Sequence, residues 1–179
     1  MSDWRDSVEL LVHHSKIKVP YSWSVGETGS RFLRALRDEK KILANKCPKT
    51  GQVFCPPKLN SPYTLEPITE WLELTGKGTV QTYTERHYDT AALAKEMPGN
   101  AGPGTAAARL AHDAGGAGNQ PCIYALIRLD GATQALPHFL GEVDFKNVKI
   151  GMRVEAVFRD NREGHIFDIR YFRPTGENA

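Results

Sequence analysis

The sequence predicts a mainly β protein with one helix near its N-terminus. Three observations carry this. From Trp71 to Phe172 the chain runs as short alternating stretches between turn residues, with no long helical period among them. The firm helical period comes earlier, at Phe32, Leu33 and Leu36 in RFLRALRDEKK. Between the two, Lys46 to Thr64 reads KCPKTGQVFCPPKLNSPYT and has the outline of a zinc ribbon: a Gly turn at Gly51, a short apolar strand at Val53 and Phe54, and a stiff exit at Pro56-Pro57.

Residues 1–29 form an N-terminal arm without a strong period. Trp4, Val8 and Leu11 or Val12 suit one face of a short helix, and Ile17, Val19, Tyr21 and Trp23 alternate as an extended segment would. The arm's aromatic residues, Trp4, Tyr21 and Trp23, either pack on the chain's own core or lie on a partner, where such side chains supply large buried area. The helix follows, with Thr28 or Ser30 as its cap. Arg31, Arg34 and Arg37 fall largely off its apolar stripe. They read as a solvated face or as a basic surface for phosphate groups.

Residues 30–69 thus hold the helix and the ribbon, with a lead-in strand at Ile42 to Lys46. Residues 70–174 hold the strand-rich domain. Its expected strands are Trp71–Thr75, Thr79–Tyr88, Cys122–Leu129, Gln134–Val143, Arg153–Arg159 and Ile166–Phe172. Gly76-Lys77-Gly78, Asp130-Gly131, Lys149-Ile150-Gly151 and Asn161–Gly164 supply turns. Residues 89–120 interrupt this domain with a Gly- and Ala-rich loop, in which Ala106–Ala114 suits a short helix. Residues 175–179 are a polar tail.

Composition narrows the function classes. The chain has 179 residues, 40% of them apolar, and a formal net charge of +2. That charge is too small to argue for nucleic acid. No apolar run approaches the roughly 18–20 residues of a membrane span, and the N-terminus lacks the pattern of a signal peptide. Three cysteines suggest no disulfide framework, so a reducing cytoplasm is the expected location.

The ribbon lacks a metal set. Structural zinc takes four Cys or His ligands, usually from two C-x-x-C knuckles. Here the first knuckle reads Cys47-Pro48-Lys49-Thr50 and the second Ser61-Pro62-Tyr63-Thr64, with Cys55 between them and off the pattern. The expectation is a ribbon that has lost its zinc. Cys47 and Cys55 are residual metal candidates only if other ligands come from elsewhere. Phe54 and Tyr63 then stabilise the module by packing or meet a partner. No local nucleophile–base pair accompanies Cys47, Cys55 or Cys122, and the six histidines show no ligand spacing. No catalytic residue is assigned.

The run K-C-P-K-x-G-x-V-F-x-P-P, followed by E-W-x-E-L-x-G-x-G-T-V at Glu70–Val80, resembles the acyl-CoA-associated family of domain of unknown function 35. The resemblance resumes at Tyr124–Gly131 and continues through Gly141–Val143, Ile150–Val154 and Tyr171–Pro174. It implies a degenerate rubredoxin-like zinc ribbon followed by an OB-fold barrel of five to six strands. It also implies a non-catalytic accessory subunit of a thiolase-type acyl-CoA enzyme. In such a complex the coenzyme A thioester occupies a site shared with the partner, and Arg31, Arg34 and Arg37 are candidates for its phosphates. The lead-in Y-S-W-x-x-G-x-x-G-S-R-F-L resembles members acting on aromatic or dicarboxylic acyl-CoA, such as benzoylsuccinyl-CoA in anaerobic aromatic degradation. Two other classes stay open: an OB-fold binding single-stranded nucleic acid, with Tyr83, Tyr88, Tyr124 and Phe139 stacking on bases, and a stand-alone CoA-binding module.

Overall fold

The computed structural model describes residues 23–86 and 122–176. Trp4, Tyr21 and most of the arm, the loop expected over 89–120 and the end of the tail lie outside the described residues.

Helix α1 spans Gly26–Arg34 and opens before either expected cap. No side chain caps it in the usual way; instead the Ser24 hydroxyl accepts from the Gly26 N–H at 3.1 Å. Its polarity favours the ends it has, with Glu27 in the first turn and Arg31 and Arg34 in the last. A wider, π-type turn, Ala35–Glu39, continues the helix and stops at Lys40, whose φ of 57° swings the chain into the first strand. Phe32, Ala35 and Leu36 are buried, while Arg31, Arg34 and Arg37 are exposed. The apolar stripe and charged face read from the sequence are therefore both present.

Three strands form a small antiparallel sheet: β1 (Ile42–Lys46), β2 (Val53–Phe54) and β3 (Glu70–Leu74), in the order β2-β1-β3. β3 was expected with the strand-rich domain. It pairs instead with the whole of β1, from Ile42 opposite Leu74 to Lys46 opposite Glu70. Alternation alone gives a strand its two faces but not its partner, so the misplacement is of pairing and not of element type.

The remaining five strands close into a barrel. They are β4 (Lys77–Arg86), β5 (Cys122–Leu129), β6 (Ala135–Leu140), β7 (Arg153–Phe158) and β8 (Ile169–Pro174). The order around the barrel is β4-β5-β6-β8-β7, with β7 returning to β4. All neighbours are antiparallel except β6 and β8, which run parallel where Leu140 faces Phe172. This is the OB-fold barrel. β5 shows why the sequence reads so clearly: Ile123, Ala125, Ile127 and Leu129 are buried, and the residues between them are more exposed. Gly78 in β4 is needed for close approach, since a Cβ there would lie 2.7 Å from the Arg128 carbonyl oxygen. The last strand begins later than expected, because Ile166–Asp168 forms a 3-10 turn.

Sheet and barrel share one core. Phe32 of α1, Leu36 of the turn that continues it, and Ile42 and Leu74 of the sheet belong to the same buried cluster as Val80, Ile127, Val154 and Phe172 of the barrel. Val53 adds a polar tie: its N–H donates to the Thr133 hydroxyl and its carbonyl accepts from the Thr133 N–H, each at 3.0 Å. Truncating a fully buried residue at this junction, such as Leu36, would cost about 2–5 kcal/mol.

Candidate functional site

Three places concentrate chemistry-bearing side chains. The first is the pair of turns at the end of the small sheet. In the first turn the Gly51 N–H donates to the Cys47 carbonyl and the Cys47 N–H donates to the Gln52 carbonyl, each at 2.8 Å. Gly51 adopts a φ of 70°, which this tight turn requires and which other residues rarely tolerate. In the second turn the Ser61 N–H donates to the Glu66 carbonyl at 2.8 Å and the Leu65 N–H donates to the Ser61 carbonyl at 2.9 Å. An ion pair between Lys49 and Glu66, at 2.6 Å, joins the two turns.

Between the turns lies the Cys47 thiol, which is buried. Hydrogen bonds from the hydroxyls of Ser61 and Thr50, and from the backbone N–H groups of Thr50 and Lys49, lower its pKa to about 6 against the opposing effect of burial. Phe54 and Ile68 complete this small cluster. Cys55 belongs to the larger core, where burial pushes its thiol up to about 12. The two cysteines therefore sit in different packing clusters. Among the described residues, no three His, Cys, Asp or Glu side chains gather where they would hold a metal. One thiol and three hydroxyls, at Cys47, Thr50, Ser61 and Thr64, do not fit the ligand chemistry of structural zinc.

The candidate partner-binding aromatics separate here. Phe54 is fully buried and holds the ribbon's own interior, so it offers no contact surface. Tyr63 is 62% exposed, and Leu59 and Leu65 beside it are 67% and 78% exposed. Leu65 has a φ of 59°, uncommon for a side chain of its kind. Sequence reasoning missed Leu65, although a leucine in a run of turn residues was the available signal. Trp23 is 72% exposed at the point where the arm meets α1. Trp4 and Tyr21 lie outside the described residues.

The second place is a cavity of about 570 Å³ between α1 and the edge of the sheet. Arg31 and Arg34 line it, together with Lys41 and the carboxylates of Glu27, Asp38, Glu39 and Glu73. Arg31 lies over the Trp71 ring at 4.2 Å. Lys41 is held between Glu39 at 3.0 Å and Glu73 at 3.5 Å. Arg37 is not part of this lining. Its guanidinium pairs with Asp38 at 2.7 Å, which holds the Asp38 carboxyl below its usual range. Two of the three arginines proposed for phosphates thus line the cavity, and Arg37 is held beside it by Asp38.

The third place is the end of the barrel where the β7–β8 loop closes over β6. Asp168 anchors that loop: its carboxylate accepts from the N–H groups of Glu163, Gly164 and His165 at 2.8–3.1 Å. Arg162 reaches back to the Arg37 carbonyl at 2.7 Å and ties the loop to the helical segment. Phe167 is thereby set near His138 and Phe139, with ring centroids 6.0 and 6.1 Å away. His138 is buried. Its Nδ1 accepts from the Phe139 N–H at 2.9 Å. Burial lowers its pKa to about 4. Of the aromatics named for base stacking, Tyr124 packs edge-on against Phe139 at 4.8 Å and Tyr83 against Phe145 at 5.5 Å. Phe139 is buried, and Tyr88 lies outside the described residues.

No helix among the described residues is long and apolar enough to cross a membrane.

Residues 106–159 match the family model described as ChsH2, C-terminal OB-fold domain. A search of curated proteins finds no match. Among solved structures, the chain is similar to one in the Ltp2-ChsH2(DUF35) aldolase, with a TM-score of 0.52 and 17% identity over 86% of this chain and 98% of that one. It is also similar to a protein of unknown function from the DUF35 family of Sulfolobus solfataricus, with a TM-score of 0.52 and 21% identity over 83% of this chain and 84% of that one. Taken with the barrel's topology, these matches show an OB-fold, and residues 106–159 resemble the OB-fold domain of the ChsH2 C-terminal type.

Proposed function

We propose that this chain is a non-catalytic accessory subunit of an enzyme complex acting on coenzyme A thioesters. It joins a thiolase-type partner and helps form the acyl-CoA site. The observation that carries this reading is the likeness to the DUF35 chain of the Ltp2-ChsH2 aldolase, which extends over 98% of that chain. A fold shared at that extent favours a role in an assembly with an enzyme subunit.

The side chains are consistent with such a role. Cys47, with its depressed pKa, is enclosed by the ribbon, and Cys55 is held protonated in the core. Neither is open to a substrate. In the thiolase-type reading the partner supplies the nucleophile. Its cysteine attacks the β-keto carbon, and the carbon–carbon bond to the CoA-bearing fragment breaks. That fragment leaves as a CoA thioester, and a second coenzyme A takes the acyl group from the cysteine. An aromatic or dicarboxylic substrate such as benzoylsuccinyl-CoA is the finer form of the proposal. Arg31 and Arg34 are the candidates for phosphate contact, because they line the cavity beside the helix.

Purification of the native complex from source cells tests this. The proposal requires a thiolase- or aldolase-type enzyme held in fixed stoichiometry with this chain. Recovery of the chain as a free monomer that binds single-stranded nucleic acid would oppose it.

A further inference from the structure

We infer that the ribbon of this chain is a metal-free module, in which a hydrogen-bonded Cys47 thiol and the hydroxyls of Thr50, Ser61 and Thr64 stand at the four positions where a zinc ribbon carries its ligands. The turns of such a ribbon are kept. Each of the two knuckles closes with a backbone hydrogen bond, from Gly51 N–H to the Cys47 carbonyl and from Leu65 N–H to the Ser61 carbonyl. The positions i and i+3 of each knuckle are Cys47 and Thr50, then Ser61 and Thr64. What has changed is the donor set: the Ser61 hydroxyl accepts backbone hydrogen bonds, whereas the Thr64 hydroxyl is buried without a partner.

Ser61 is the hinge of this substitution. It is 1% exposed, so its hydroxyl must be satisfied within the chain. Its oxygen accepts from the N–H groups of Tyr63 and Thr64, each at 3.4 Å. Ser61 and Thr50 are also the side chains that act most strongly on the Cys47 thiol. A thiolate at position 61 would accept the same two N–H groups but would carry no proton to give; it would need a cation between it and Cys47. Serine removes both the second negative charge and the need for the cation. The apolar contact of Cys47 with Phe54 and Ile68 and the Lys49–Glu66 ion pair supply the remaining cross-links between the knuckles. Structural metals often provide much of a small module's folding energy. Here Val53 and Cys55 join the ribbon to the barrel's core, so the module does not have to fold alone.

The test uses the full chain and two variants. Wild-type protein exposed to zinc and then dialysed should hold no stoichiometric metal, and a chelator should leave its melting temperature unchanged. One zinc per chain, released by chelator with a fall in melting temperature, would overturn the inference. The combined variant Thr50→Cys, Ser61→Cys, Thr64→Cys should bind one cobalt(II) per chain with the absorption spectrum of a tetrahedral thiolate site, and zinc should raise its melting temperature. Absence of that spectrum in the folded variant would show that the four positions do not surround one point. Should the triple variant fail to fold with metal present, the single variant Ser61→Ala decides. It should lower the melting temperature, because the N–H groups of Tyr63 and Thr64 lose their acceptor in a buried site. An unchanged melting temperature would show that the Ser61 hydroxyl does not hold the second turn in place of a metal, and would overturn the inference.

Discussion

The buried side chain of Asn45 makes both of its hydrogen bonds to the backbone of Lys58: its amide donates to the carbonyl at 2.6 Å and its oxygen accepts from the N–H at 3.1 Å. It completes, with a side chain, the pairing that a further strand would otherwise give this segment. Replacing Asn45 with alanine strands a donor and an acceptor of the Lys58 backbone. The expected cost is about 2–4 kcal/mol, or a fall in melting temperature of about 2–4 °C per kcal/mol. Thermal unfolding of Asn45→Ala against wild type checks this, and a change within measurement error would show that water replaces the clamp.

His138 gives the fold a pH dependence. Its folded pKa, about 4, lies below the roughly 6.5 of an unfolded histidine, because burial disfavours the charged ring. Between these values the unfolded chain binds the extra proton, so stability falls as the pH drops. The contribution is whole above about pH 6.5 and is lost towards pH 4, with a full loss on the order of 3 kcal/mol. Melting temperatures across this range should show the slope, and His138→Leu should flatten it. An equal slope in that variant would assign the effect to other groups.

The strands were legible because they alternate, whereas their closure into an OB-fold barrel was implied by the family resemblance. The span of β5 was read in full, since Ile123, Ala125, Ile127 and Leu129 declare one face and Asp130-Gly131 declares the turn. The two turns at Cys47 and Ser61 were legible from Gly51 and from Ser61-Pro62-Tyr63-Thr64. The side chains that position the third site were not. Asp168 caps its loop from three to five residues downstream of the N–H groups it binds, and the Asn45 clamp spans thirteen residues. Neither pairing leaves a periodic trace. His138 shows the same limit: alternation puts it on the inward face of β6, but the Phe167 and Phe172 rings around it come from the far end of the chain. The start of α1 was missed because Gly26 and Gly29 are poor helix formers, and packing of the following turns outweighs that propensity.

Cys47 should titrate apart from the other thiols. Hydrogen bonds led by Ser61 bring its pKa to about 6, whereas burial takes Cys55 to about 12. The ultraviolet absorbance of thiolate should therefore rise with a midpoint near pH 6, and that step should vanish in Cys47→Ser. A step that persists in the variant would refute the assignment.

Trp23 and Tyr63 are exposed, so truncating either should leave the melting temperature unchanged. If they meet the partner, Trp23→Ala and Tyr63→Ala should each weaken the complex by about 1–3 kcal/mol, and deletion of residues 1–25 should weaken it further. Titration of each variant against the purified partner measures this. Hydrogen exchange over Cys47–Tyr63 should slow when the partner binds. Unchanged affinity and exchange would move the interface elsewhere.

The division of labour between this chain and its partner is tested most directly by turnover of a β-keto acyl-CoA in three samples: the chain alone, the partner alone and the reconstituted complex. The chain alone should be inactive, and the complex should exceed the partner alone. The triple variant Cys47→Ser, Cys55→Ser, Cys122→Ser should still support turnover if it folds and assembles. Turnover by the rigorously purified chain, or loss of activity in an assembled complex carrying that variant, would contradict a non-catalytic role.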